Sequence, residues 1–368
     1  MSKLKILLLV QLCVFNATAL YPADTETDFS DDFSKGPLFG KNMYIPFLIH
    51  YNFPSLPAKS GERFDLQYHF SWYYIQDAHY APNDLTQYEG RVSRRYDLEN
   101  VLRDYEGCVG EVGFAYHFLE NMQAGIDMRI IAYYGGFLDP AFEFFHNAFD
   151  FMNGGREFFL QNQLYINIPN NNGIRLFLDK PAVSFGDIDV WGKWTFFENA
   201  NISLATLGAF KLPTGRLETL SGSGYPDLGL GLLSDIRATR LLTLYAQAGV
   251  VLPFNMKSYP MFNGLAGLEI HPWEPFSFII QMNIKTSPIY DNTIEWTWNP
   301  YFGTYFAQYS LPQTNLLAGF VIKHKSFRWQ VYFEEDTITN QGTDLTINVM
   351  FSHSLSLKNM GVANCFRR

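Results

Sequence analysis

Long hydrophobic runs are missing from this 368-residue chain. A bilayer-spanning helix needs about 20 consecutive apolar residues, and the apolar stretch from Ile6 to Phe15 stops well short of that. A mean hydropathy of -0.09 agrees, so a helical membrane bundle is excluded. Cysteine is scarce: only Cys13, Cys108 and Cys365 occur, which excludes a disulfide framework and leaves open whether Cys108 and Cys365 pair. Positive charge is thin, with 27 Lys and Arg against 36 Asp and Glu, a net charge of -9 and a pI near 5.4. Nucleic-acid partners want a concentrated basic surface and are excluded on that ground.

Catalytic and cofactor motifs are equally thin. The eight histidines are scattered without HExxH or Cys/His spacing, so no metal site is expected. Gly215, Gly222 and Gly224 follow Lys211-Leu212-Pro213-Thr214, but no Gly-Lys-Ser/Thr follows, so they form no phosphate loop. His146 stands between Glu143 and Asp150, yet no serine or acid pair completes a nucleophilic site. The chain reads as a non-enzyme without a cofactor.

Aromatic residues, by contrast, are abundant, at 17% with 34 Phe and 22 Tyr. Their spacing is informative. Phe64, Leu66, Tyr68, Phe70 and Trp72 share one parity, while Asp65, Gln67, His69, Ser71 and Tyr73 share the other. Met122 to Ile130, Phe276 to Lys285 and Phe327 to Glu334 repeat the pattern. Strands with one greasy face and one polar face are what a transmembrane β-barrel is made of. In lipid, only helices and closed barrels satisfy every backbone hydrogen bond.

Four regions follow. Residues 1–19, with Lys3, Lys5, the apolar run and Ala17-Thr18-Ala19, read as a removable secretory signal. Residues 20–62, acidic at first and then rich in proline (Pro37, Pro46, Pro54, Pro57), are expected to lie in the periplasm or fold into the lumen as a plug. Residues 63–357 are the expected barrel and 358–368 a tail. Short links at Leu119-Glu120, Glu198-Asn199, Ala238-Thr239, His271 to Glu274 and His324-Lys325 alternate with six long ones. Barrels alternate short periplasmic turns with long outer loops, so this count predicts about twelve strands. A hairpin over Gln163–Ile168 and Ile174–Leu178 is assigned to a large outer loop; putting it in the wall makes fourteen. In the same loop Phe142, Phe145 and Phe149 recur at helical spacing beside His146, predicting a short amphipathic helix over Pro140–Gly155.

The polar parity should face the lumen, and it carries both signs. Acidic candidates are Asp65, Glu111, Asp127, Asp187, Asp189, Asp235 and Glu269; basic ones are Arg129, Lys193, Lys211, Lys285 and Arg328. Balanced charge of this kind implies internal pairing rather than a one-sign selectivity ring.

Several ordered landmarks add a family resemblance. They are Gly36-Pro37-Leu38 with Asn42 and Pro46; Phe145-His146-Asn147-Ala148-Phe149 before Gly154-Gly155-Arg156; Gly186-Asp187-Ile188; Leu212-Pro213-Thr214-Gly215; Ser221-Gly222-Ser223-Gly224 with Asp227; and Glu335-Asp336 before Asp344-Leu345-Thr346. Together they resemble an uncharacterised family of Gram-negative outer-membrane proteins of unknown function. The resemblance implies a barrel in the bacterial cell outer membrane, with lipid and the barrel-assembly machinery as partners. One departure stands out: such barrels usually end on an aromatic residue in the last strand, whereas Lys358 to Arg368 follow it here. The expected role is a channel or uptake protein for small solutes. The alternatives are a non-conducting anchor for surface loops, or a path for hydrophobic solutes past Trp296 to Phe302.

Overall fold

Period-two patterning forces strands, and strands in lipid must leave no edge unpaired. The computed structural model describes residues 35–41, 43, 45, 47–81, 101–149, 161–169, 175–254, 258–288, 297–299, 304–306, 312–337 and 345–357. Twelve of its strands close into an antiparallel ring. In chain order the first are β1 (Asp65–Ala81), β2 (Val101–Leu119) and β3 (Met122–Tyr134). Helix α1 (Asp139–Phe149) and strands β4 (Tyr165–Pro169), β5 (Arg175–Leu178) and β6 (Ala182–Phe185) fill the loop that follows. The wall resumes with β7 (Ile188–Glu198), β8 (Ile202–Leu212), β9 (Asp227–Thr239), β10 (Leu242–Pro253), β11 (Met261–Trp273) and β12 (Phe276–Lys285). A small separate hairpin, β13 (Thr297–Asn299) with β14 (Thr304–Phe306), precedes β15 (Gln313–His324), β16 (Phe327–Asp336) and β17 (Leu345–Ser356).

Closure comes from the first and last strands, which pair from Asp65 opposite Ser356 to Gln76 opposite Leu345. β4 and β5 form the expected hairpin outside the wall, joined to it only through the outer end of β2. The twelve-strand count holds, with β4, β5 and β6 as additions. β6 is the subtler one. It pairs with the outer half of β3 (Ile130 opposite Phe185), while β7 pairs with the inner half (Asp127 opposite Asp189). The offset between those registers is one residue, so β6 continues the line of β7 past a local irregularity at Gly186-Asp187. The expected outer loop ends at residue 182, which agrees with a wall strand that begins at Ala182 and is interrupted at Gly186-Asp187.

Every wall strand puts its apolar parity outside. Phe70, Trp72, Met128, Ile130, Leu232 and Met282 are all exposed on the outer surface. At the short-turn end aromatic rings gather: Trp273 stacks on Phe276, Phe276 on Phe320, and Phe327 on Phe351, with ring centroids 5.4, 6.0 and 5.8 Å apart. An apolar band edged by aromatics fits a bilayer and its interface. No helix among the described residues is long and apolar enough to cross a membrane; the crossing is made by strands.

Leu232, 60% exposed and midway along β9, tests the belt. Leu232→Arg should lower folding stability by about 2–4 kcal/mol if the side chain meets the bilayer midplane. Urea titration of protein refolded into vesicles measures this.

Candidate functional site: the occupied lumen

Residues 35–61 thread the inside of the ring, and no strand forms among those described. The segment starts at the short-turn end, where the Lys35 N–H donates to Glu269 at 2.9 Å. It climbs past Gln330, whose amide accepts from Phe39 N at 2.8 Å and donates to Pro37 O at 3.0 Å. It reaches the long-loop end at a 3-10 turn, Phe47–Ile49, and returns to meet Glu120 O through Gly61 N at 3.1 Å. Proline at positions 37, 54 and 57 explains the lack of sheet, because each removes an amide donor.

Buried backbone groups without a ladder need other partners. The wall charges supply them. Asp235 accepts from Ala58 N and Lys59 N at 2.8 and 3.2 Å, and Lys193 donates to Pro57 O and Lys59 O, both at 2.8 Å. Arg328 donates to Gly36 O and Pro37 O at 3.1 and 2.7 Å. Lys285 donates to Tyr51 O at 3.2 Å and to the Asn52 side chain at 2.7 Å. Lys211 donates to Ile49 O at 3.0 Å and pairs with Asp187.

Midway up, the segment contributes a charge of its own. The Lys41 ammonium lies 2.8 Å from Glu111 Oε2 and 3.0 Å from Asp127 Oδ2, with all three side chains buried. Burial alone would lower the pKa of Lys41; the surrounding carboxylates of Asp127, Glu111 and Asp189 outweigh it and raise the pKa above the ordinary lysine range. Arg129 faces Asp189 at 3.5 Å in the same layer.

Eleven of the twelve lumen candidates thus sit together on the inner surface, around the segment. Asp65 stands apart, on the inward parity but half-exposed at the short-turn end. The helix candidates Phe142, Phe145, His146 and Phe149 fall within α1; their side chains lie outside the described residues, as does the rest of the expected helix, residues 150–155. The predicted signal, Cys365 and the aromatic run's Trp296, Pro300, Tyr301 and Phe302 also lie outside them. Sequence reading missed Asp77, Arg103 and Asp227. Asp77 and Arg103 pair at 3.3 Å, and Arg103 donates to Ile45 O at 3.2 Å; Asp227 accepts from Tyr51 N at 2.8 Å. Asp77 and Arg103 fall in an expected outer loop, and longer strands β1 and β2 place them inside the wall, whereas Asp227, a landmark of the resemblance, is the first residue of β9.

The outer mouth is covered by apolar contacts. Leu48 and Ile49 at the segment's tip join Tyr133, Ile166, Leu176 and Leu220 in one buried cluster, bringing together the segment, the β4–β5 hairpin and the loop after β8. Ser223 N donates to Ile49 O at 3.1 Å. Between Asn52, Phe53 and Ser55 and the wall residues Leu207, Leu233, Gln247, Asn263, Asn283 and Asn315, a cavity of about 50 Å³ with a mixed polar and apolar lining remains. That is room for a few waters and no larger solute.

A family profile described as "Protein of unknown function (DUF3187)" matches residues 95–348, more than half the chain, and the protein belongs to that family. No curated protein matches it. Among solved structures it is similar to the COG4313 outer membrane channel of Pseudomonas putida F1, at 8% identity and TM-score 0.48, covering 80% of this chain and 97% of that one. It is also similar to the KdgM porin (8%, TM-score 0.40, 79% and 99% covered). A third is the Pseudomonas putida toluene transporter TodX (9%, TM-score 0.35, 81% and 90% covered). The closed ring with its outward apolar belt makes this protein an integral β-barrel of the bacterial outer membrane.

Asp227 anchors the returning limb, and Asp227→Ala strips the acceptor from Tyr51 N, leaving a buried donor unsatisfied at about 1–3 kcal/mol. Limited proteolysis of the folded barrel should then cut within residues 47–58 about tenfold faster, because cleavage follows the population of the open form.

Proposed function

We propose that this protein is a channel or uptake protein for small solutes, and that residues 35–61 stand in the conduction path and leave it for passage. One observation carries the reading: the twelve-strand ladder is closed without the segment, which is held only through side chains and isolated backbone contacts. Withdrawing it breaks no strand pair of the wall. The reading is of a transporter rather than an enzyme.

A second reading, a non-conducting anchor for surface loops, is favoured by the apolar cluster that seals the outer mouth. The hydrophobic-solute alternative rested on Trp296 to Phe302, most of which lies outside the described residues.

Single-channel recording in planar bilayers separates these readings. The intact protein should be closed for most of the record, and a version lacking residues 20–62 should show regular conductance steps. Heat-modifiable gel mobility confirms that both barrels are folded; a folded, truncated barrel without steps supports the anchor.

A further inference from the structure

We propose that the pocket formed by Glu111 and Asp127 is a subsite for the primary ammonium group of a small organic cation, and that Lys41 occupies it as a tethered stand-in. This deepens the channel reading by naming a solute class.

The pocket already holds an alkylammonium. Lys41 delivers its amine on an unbranched four-carbon stem to Glu111 Oε2 and Asp127 Oδ2, and these wall residues remain when the segment moves. The wall builds the pocket independently of Lys41. Trp191 Nε1 donates to Asp127 Oδ2 at 3.2 Å, fixing the carboxylate, and His69 Nε2 lies 3.4 Å from Glu111 Oε1. Gly113 leaves the space: a Cβ there would stand 2.1 Å from His69 Cε1 and 2.3 Å from Asp127 Oδ1.

The site also has capacity that Lys41 does not use. Asp127 is 2% exposed, yet its Oδ1 has no hydrogen-bond partner. An ammonium carries three donors, so an occupant seated slightly differently has an acceptor waiting. The charge of the lumen points the same way. Among described residues, the buried side chains facing the lumen include eight carboxylates against five Lys and Arg, and the segment adds buried Lys35 and Lys41. Emptying the lumen therefore removes cations and leaves an acid-rich path, which attracts a cationic solute.

His69, Glu111 and Asp127 also bring donor atoms within 4.8 Å of one another, as a divalent metal would require. Lys41 decides between the two occupants, because the group observed among these carboxylates is an ammonium with a slender aliphatic stem.

Equilibrium dialysis of the full-length protein in detergent, with labelled 1,4-diaminobutane as probe, tests the assignment without requiring conduction. Lys41→Met keeps the stem and vacates the charge, and should bind the diamine about tenfold or more tightly than the unaltered protein, a gain of about 1.4 kcal/mol. Lys41→Met with Glu111→Gln should lose that gain, and 1,4-butanediol should not compete. In the unaltered protein, saturating diamine should speed tryptic cleavage after Lys41, a readout that stands if the variants fail to fold. Equal binding by both variants, binding of zinc but not the diamine by Lys41→Met, or no change in cleavage overturns the proposal. Conductance of the truncated barrel with no diamine binding would sink the solute class alone; binding without conductance would sink only the channel.

Discussion

The structure depends on the need of every buried charge for a partner. A barrel of twelve strands is too wide for its inward side chains to meet across the axis everywhere, so charges on the wall would otherwise face one another through water. Here a length of chain without regular structure, rich in unpaired amides and carbonyls, enters that space. Asp227 and Asp235 take its N–H groups; Lys193, Lys211, Lys285 and Arg328 take its carbonyls. Each side solves the other's problem, since a strandless buried backbone and an unpaired buried ion are both costly alone.

Such mutual dependence differs in kind from the pairing that closes the wall. The β1–β17 seam is a continuous ladder, cooperative along its length. Most of the segment's polar attachments are separate points made by one side chain to one or two backbone groups, and water can replace such contacts when the lumen is wet. A structure held this way is free to come apart locally while the ladder stays intact, so the segment belongs to the low-stability end of the fold.

The wall was legible in the sequence because its determinant is local. Period two survives in every strand, and the alternation of short and long links counted the strands correctly, including the β4–β5 hairpin's exclusion from the ring. What could not be read was the pairing of lumen charges, since parity says that Asp235 faces inward and nothing about Ala58 N as its partner. Asp77 and Arg103 escaped for another reason. Their strands run further out than the hydrophobic alternation does, because beyond the lipid the outward positions no longer need to be greasy. The buried outward Glu106 shows it, accepting from Phe137 N and Leu138 N of the loop before α1.

Lys41 marks where these two levels meet. The segment is short of charge, and most of its contacts are made by backbone atoms that almost any sequence would supply; a lysine amine between two buried carboxylates is specific. Its removal leaves both acids uncompensated, a loss of roughly 3–5 kcal/mol for a broken buried pair, far above that of any single backbone contact elsewhere in the lumen. The affinity of the segment for its own barrel is thus concentrated at one ionic contact midway along the path. An agent that competes there need not pull the whole segment away; it has only to replace one ammonium, after which the remaining contacts can exchange with water one at a time.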